Sequence, residues 1–266
     1  MSNILEQIIE DKKQEVRQLI TESPVQQLER SPLFNRTPVS LKDSLLNQTS
    51  SGIIAEFKRM SPSAGRINRK ADLVATTRGY VHAGAAALSV LTDRKYFGGS
   101  RDDMMRAREV NHCPILRKEF IIDEYQVLES KAIGADAILL LASVLDPSAI
   151  ARLAKLAHSV GMEVILEIHD PAELASLNQW IDVVGVNNRN LKKMETDVQT
   201  SMDMAGKIPE DFLKISESGI NDPETINFLK GLGYKGFLIG EYFMKHEKPA
   251  QACSSFIEKM QVLNAE

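Results

Sequence analysis

Asp136-Ala137-Ile138-Leu139-Leu140-Leu141-Ala142, then Asp146-Pro147 ahead of a helical stretch from Ser148 to Val160, then Gly161 and Glu163-Val164-Ile165-Leu166-Glu167-Ile168, make one complete strand, helix and strand unit. The two apolar runs are short and nearly continuous, as strands buried on both faces must be. Between them Asp146 suits a helix cap, Pro147 suits the first turn, and Gly161 supplies the stop. A strand that returns through a helix to a second strand of the same kind belongs to a parallel sheet covered by helices.

The rhythm extends both ways. Runs of the same character occupy 52–57, 86–91 and 114–118 before this unit, and 182–186, 213–217 and 235–240 after it; Asp170-Pro171 and Asp222-Pro223 repeat the capping device. With 136–142 and 163–168 these make eight runs in about 215 residues, which predicts a closed (β/α)8 TIM barrel of the α/β class rather than an open sheet. Ahead of them, residues 3–20 set Ile4, Ile8, Val16 and Leu19 at helical spacing among charged residues, so an amphipathic helix should open after Ser2 or Asn3. Pro24, Pro32 and Pro38 then break the chain until a short helical stretch from Ser40 to Leu46. Residues 1–50 are expected as a helical extension packing over the barrel mouth, where an apolar stripe can be buried, and 51–266 as the barrel, in one structural domain overall.

The 266 residues suffice for one such barrel and for a core without disulfide staples. Hydrophobic residues make up 43% and charged residues 26%, which excludes a disordered or fibrous chain. Lys plus Arg number 32 against 36 Asp plus Glu, a net charge of −4, so nucleic acid is not the expected partner. No apolar run approaches the ~20 residues a bilayer demands, and the acidic N-terminus is unlike a signal peptide. Two cysteines, Cys113 and Cys253, build no disulfide framework. A cytoplasmic protein with no membrane partner is expected; the sequence does not fix an oligomeric state, and a monomer is favoured because the helix faces show no clear partner patch. No dinucleotide or P-loop glycine fingerprint is present.

A barrel interior is packed with side chains, and an inward charge costs several kcal/mol unless it is paired or placed at the mouth. Yet the first run leads into Glu56 and Lys58, two apart and on one face. The third carries Leu116, Lys118 and Phe120 on one face. The fifth ends in Glu167, the sixth in Asn187 and Arg189, and the seventh in Glu217 and Ser218. All stand at C-terminal strand ends, the rim that carries the active site in barrel enzymes, so they should converge on one cavity. Taken singly, each is as well explained as half of a structural ion pair; five strands placing polar groups at the same end are not. Two glycine-bearing turns, from Glu217 to Pro223 and at Gly240-Glu241, follow the seventh and eighth runs, where backbone N–H groups can approach a substrate phosphate.

Ile54-Ala55-Glu56-Phe57-Lys58-Arg59-Met60-Ser61-Pro62-Ser63 resembles the first-strand signature of the indole-3-glycerol phosphate synthases. The resemblance continues through Leu88 to Asp93, Lys95-Tyr96-Phe97, Leu116 to Ile121, Glu167 to Asp170, Gly185 to Leu191 and Ser216 to Ile220, on seven of eight strands. It implies a carboxy-lyase of tryptophan biosynthesis that closes the indole ring of 1-(2-carboxyphenylamino)-1-deoxyribulose 5-phosphate, releasing carbon dioxide and water, with no cofactor. By the same resemblance Lys118 is the general acid of ring closure. Lys58 and Lys118 hold the leaving carboxylate, Glu167 is the first choice for acid–base work in dehydration with Lys58 a competing acid, and Glu56 fixes the lysines electrostatically. Asn187, Arg189 and Glu217 orient substrate hydroxyls and catalytic groups. Ser61, Ser218, Gly219 and Gly240 are the phosphate set, and Phe97 and Phe120 the apolar wall for the anthranilate ring.

Three positions depart from the family pattern. Met60 and Ala64 stand where lysines are frequent, and Glu241 where some relatives have serine, so Glu241 is expected to turn its carboxylate away and leave its N–H as donor. The five histidines form no convergent triad, so no metal is expected; His169, two after Glu167, shares its face. A related phosphosugar isomerase would want a Cys or Asp pair at the mouth, and a non-catalytic phosphosugar-binding protein would need the phosphate turns alone.

Overall fold

The computed structural model describes residues 4–190 and 195–263; Ser2, Asn3 and Leu191, which figure in the expectations above, lie outside them. Eight parallel strands close into a barrel: β1 Ile53–Phe57, β2 Ala87–Leu91, β3 Ile115–Lys118, β4 Ala137–Leu141, β5 Glu163–Ile168, β6 Val183–Asn187, β7 Leu213–Glu217 and β8 Tyr234–Ile239. Each begins and ends within a residue of its expected run. Neighbours in sequence are neighbours in the sheet, and β1 pairs with both β2 and β8, for example Ile54 with Ala87 and with Leu238.

Side-chain alternation sorts the strand residues into two cores. Ile53, Ala55 and Phe57 of β1, Leu88 and Val90 of β2 and Val164, Leu166 and Ile168 of β5 pack outward against the helices. Ile54, Ala87, Leu116, Leu139, Ile165, Ile215 and Leu238 fill the interior. Both faces are apolar along most of each strand, which is why the runs show no polar alternation. Helices begin where the sequence places caps: Asp146 accepts from Ala149 N–H at 2.9 Å, and Asp222 from Glu224 N–H at 3.2 Å. Such a cap stabilises a helix by ~1 kcal/mol.

After Asp170-Pro171 the cap forms, but a 3-10 helix, Pro171–Ser176, takes the place of an α-helix. The connection must reach β6 by Asp182, and the Glu173 carboxylate is drawn back to the His169 N–H at 2.6 Å, which tightens the first turn.

The N-terminal extension divides between the two ends of the barrel. Helix Ile4–Glu22 buries Ile8 and Val16, and between them Lys12, only 2% exposed. Lys12 Nζ lies 3.0 Å from Asp93 and 3.0 Å from Glu119, which follow β2 and β3, and Tyr96 bonds Asp11. Helix Leu41–Leu46 instead closes the opposite end: Leu41 and Leu45 join the interior core, and Ser44 Oγ donates to the carbonyl of Ala86 just ahead of β2. No helix among the described residues is long and apolar enough to cross a membrane.

Candidate active site

At the C-terminal end of the strands lies a cavity of about 420 Å³, a size suited to a small-molecule ligand. Of the expected residues, Glu56, Lys58, Phe97, Lys118, Phe120, Glu167, Asn187, Arg189, Glu217, Ser218, Gly219, Gly240 and Glu241 all line it. Ser61 does not. It is buried in a two-residue ribbon strand, where its hydroxyl accepts from Ala64 N–H at 3.1 Å and so braces the turn after β1.

The centre of the site is an ammonium between two carboxylates. Lys118 Nζ lies 2.8 Å from Glu167 Oε2 and 2.5 Å from Glu217 Oε2. Burial alone would strip Lys118 of its proton, but Glu167, Glu217 and Glu56 outweigh it and raise its pKa above the ordinary lysine value. Burial likewise disfavours an ionised Glu167; Lys118 and His169 overcome this and hold it below the usual carboxylate range. Glu217 goes the other way: burial, with Glu167 and Glu56 nearby, pushes it up to about 7 despite Lys118. Two buried carboxylates sharing one lysine are thus driven apart.

Beside this triad, Lys58 Nζ meets Glu56 Oε1 at 2.7 Å, and Ser89 Oγ donates to Glu56 Oε2 at 3.2 Å. Asn187 Nδ2 donates to Glu167 Oε1 at 3.0 Å, and its own Oδ1 accepts from Arg189 N–H. Two glycines leave the space these acids occupy. A Cβ on Gly185 would stand 2.4 Å from Glu217 Oε1, and one on Gly240 2.5 Å from Glu56 Oε1. Opposite the charges, the rings of Phe97 and Phe120 lie 5.9 Å apart at 43° and form an apolar wall.

The turn after β7 puts Ser218 at φ 70°, a left-handed conformation costly for a residue with a Cβ. Asn188, buried between β6 and β7, holds it by donating Nδ2–H to the Ser218 carbonyl at 2.9 Å.

The expectation that Glu241 turns away is corrected. Glu241 lines the cavity, and its carboxylate lies 3.1 Å from Arg189 and 2.7 Å from Lys245, two lining cations that compensate the anion at that edge. Lys245, one helical turn past Glu241, was absent from the expected set, as were Tyr242, Asn221, Asp93 and Glu119, which also line the cavity. Asp93 and Glu119 carried a legible signal: both are acids just past strand ends. Among the described residues no group of three or more His, Cys, Asp or Glu side chains is placed to hold a metal ion.

Comparison with known proteins supplies a context for this geometry. Residues 5–256 match the family model described as indole-3-glycerol phosphate synthase. The chain is 46% identical to the indole-3-glycerol phosphate synthase of Bacteroides thetaiotaomicron over 98% of its own length and 100% of that protein. It is 39% identical to that of Delftia acidovorans, over 95% and 98%. Among solved structures it resembles 3-hexulose-6-phosphate synthase from Salmonella typhimurium with a TM-score of 0.62. At 15% identity, covering 79% of this chain and 99% of that one, this likeness speaks to the barrel fold alone.

Proposed function

The chain belongs to the indole-3-glycerol phosphate synthase family, and from that membership and the cavity's geometry we infer how its side chains divide the work of the family's reaction. It is a carboxy-lyase of tryptophan biosynthesis: 1-(2-carboxyphenylamino)-1-deoxyribulose 5-phosphate becomes indole-3-glycerol phosphate, carbon dioxide and water.

In ring closure the ring carbon bearing the carboxylate attacks the ketone carbon, and an electron pair moves onto the ketone oxygen. Lys118, kept protonated by its two carboxylates, donates the proton that makes this oxygen a hydroxyl. Departure of carbon dioxide returns the bonding pair to the ring and restores aromaticity, with Lys58 and Lys118 as the nearby cations until the charge leaves. Dehydration then needs a base for the proton on the neighbouring carbon and an acid for the hydroxyl. Glu167 awaits substrate ionised and is the base. The acid is therefore a lysine, and Lys58, paired with Glu56 at the end of β1, takes that part.

Arg189 and Lys245, with the backbone at Ser218, Gly219 and Gly240, receive the phosphate, while Phe97 and Phe120 flank the anthranilate ring. Both cysteines are free thiols, which supports a cytoplasmic place of work. The single observation carrying this reading is Lys118 suspended between Glu167 and Glu217 in the one cavity that also holds Lys58. The experiment is to mix the protein with the carboxyphenylamino substrate and follow indole absorbance and fluorescence. Wild-type signal with none from folded K118A and E167Q supports the assignment; an active K118A moves the first acid to Lys58.

A further inference from the structure

His169 follows Glu167 by two residues, so strand alternation turns its side chain to the same face. Its Nε2 stands 3.6 Å from Glu167 Oε1, and its Nδ1 stands 3.5 Å from Glu173 Oε2. Both ring nitrogens are buried without a hydrogen-bond partner, and each faces a carboxylate oxygen at ion-pair distance. Glu173 is itself fixed, because the same oxygen accepts from the His169 N–H at 2.6 Å. The 3-10 turn after β5 thus clamps an imidazole against the proposed base of the reaction.

The division of Glu167 between its neighbours is informative. Lys118 of β3 holds Oε2, while Asn187 of β6 and His169 face Oε1. Glu217 of β7 is the other acid near both Glu167 and His169, and it shares Lys118. Lys118 is shared with Glu217, so a second cation beside Glu167 adds to what keeps this buried carboxylate charged.

We propose that His169 is a positioning residue whose imidazolium, clamped between Glu167 and Glu173, keeps the Glu167 carboxylate ionised and aimed until substrate arrives. This rests on the reading of Glu167 as the base. The titration directions agree with the geometry: despite burial, His169 is raised above its ordinary value by Glu173 and Glu167, and His169 in turn lowers Glu167.

The test is the pH profile of kcat/KM between about pH 3.5 and 9 for wild type, H169Q, E173Q and E167Q. Without the imidazolium Glu167 gains its proton more readily. The acid limb of H169Q should therefore move up by at least about half a pH unit, a roughly threefold loss at pH values below the limb, with activity within about twofold of wild type at pH 8.5. E173Q leaves both Glu167 and His169 in place and should move the limb the same way by less. KM should change by less than about twofold in either variant. An acid limb that stays put in both H169Q and E173Q, with E167Q inactive, overturns the inference alone. An E167Q enzyme with wild-type kcat overturns the assignment of the base and this inference with it.

Discussion

Lys118 and Glu217, 99 residues apart, meet at 2.5 Å inside the barrel, the closest ionic contact in the cavity. Glu217 is buried and the Lys118 side chain only 16% exposed, so the two form a unit in which each sets the proton affinity of the other. The lysine becomes a stored proton for a developing oxyanion, and the glutamate the group that titrates near neutrality.

Removing the lysine should remove chemistry before binding. K118A is expected to lower kcat by at least ~10²-fold while the Kd of a phosphate-bearing substrate analogue changes little. Steady-state kinetics with calorimetric titration of the analogue decide it, and a comparable loss in both quantities would mean that Lys118 serves binding.

Glu217 should leave a mark on stability against pH. Its folded value of about 7 lies above the ordinary 4.5, so the folded state binds this proton more tightly. That contribution is fully present below pH 4.5 and is lost as pH rises through about 7. E217Q lacks it, and the Tm of E217Q should therefore gain on that of wild type between pH 5 and 8. Parallel Tm curves for the two proteins would contradict the assigned titration.

Gly185 gives a steric test of the same pair. G185A places a Cβ 2.4 Å from Glu217 Oε1 and 3.1 Å from Ile165 Cγ2, so the carboxylate must swing off Lys118. A fall of at least ~10-fold in kcat with a Tm loss of a few degrees is expected, the cost of modest overpacking. Unaltered kcat in a folded G185A would show that the pairing is dispensable.

Lys12 ties the first helix to the acids past β2 and β3. K12M leaves Asp93 and Glu119 buried without that cation, which should destabilise the fold by about 3–5 kcal/mol and lower Tm by roughly 10 °C. Thermal melts measure this directly; a Tm within a degree of wild type would show that water reaches the acids instead.

Glu241 occupies the cations assigned to the phosphate. E241Q frees Arg189 and Lys245 and should lower KM for the substrate by roughly threefold to tenfold. The gain should shrink in high salt, which screens the exposed Lys245 most. A higher KM in E241Q would mean that the carboxylate holds Arg189 in its working position.

The barrel was legible because its signal is local: an apolar run recurs eight times and an Asp-Pro cap such as Asp146-Pro147 three times, and each is written in consecutive residues. The polar rim was legible for a related reason. Alternation along a strand is a rigid rule, so Glu56 and Lys58, or Leu116 and Lys118, had to share a face wherever the strand went. Family membership rests on those same ordered motifs.

What the chain order could not say is which rim charges meet. Lys118 with Glu217, Arg189 with Glu241 and Lys12 with Asp93 and Glu119 are partnerships made by barrel closure and helix docking, between residues tens to more than a hundred positions apart. The division of the N-terminal extension between two ends of the barrel, and the inward carboxylate of Glu241, have the same origin. Side-chain direction follows from backbone periodicity one strand at a time, whereas charge pairing depends on the distance between strands, and only the closed three-dimensional fold sets that.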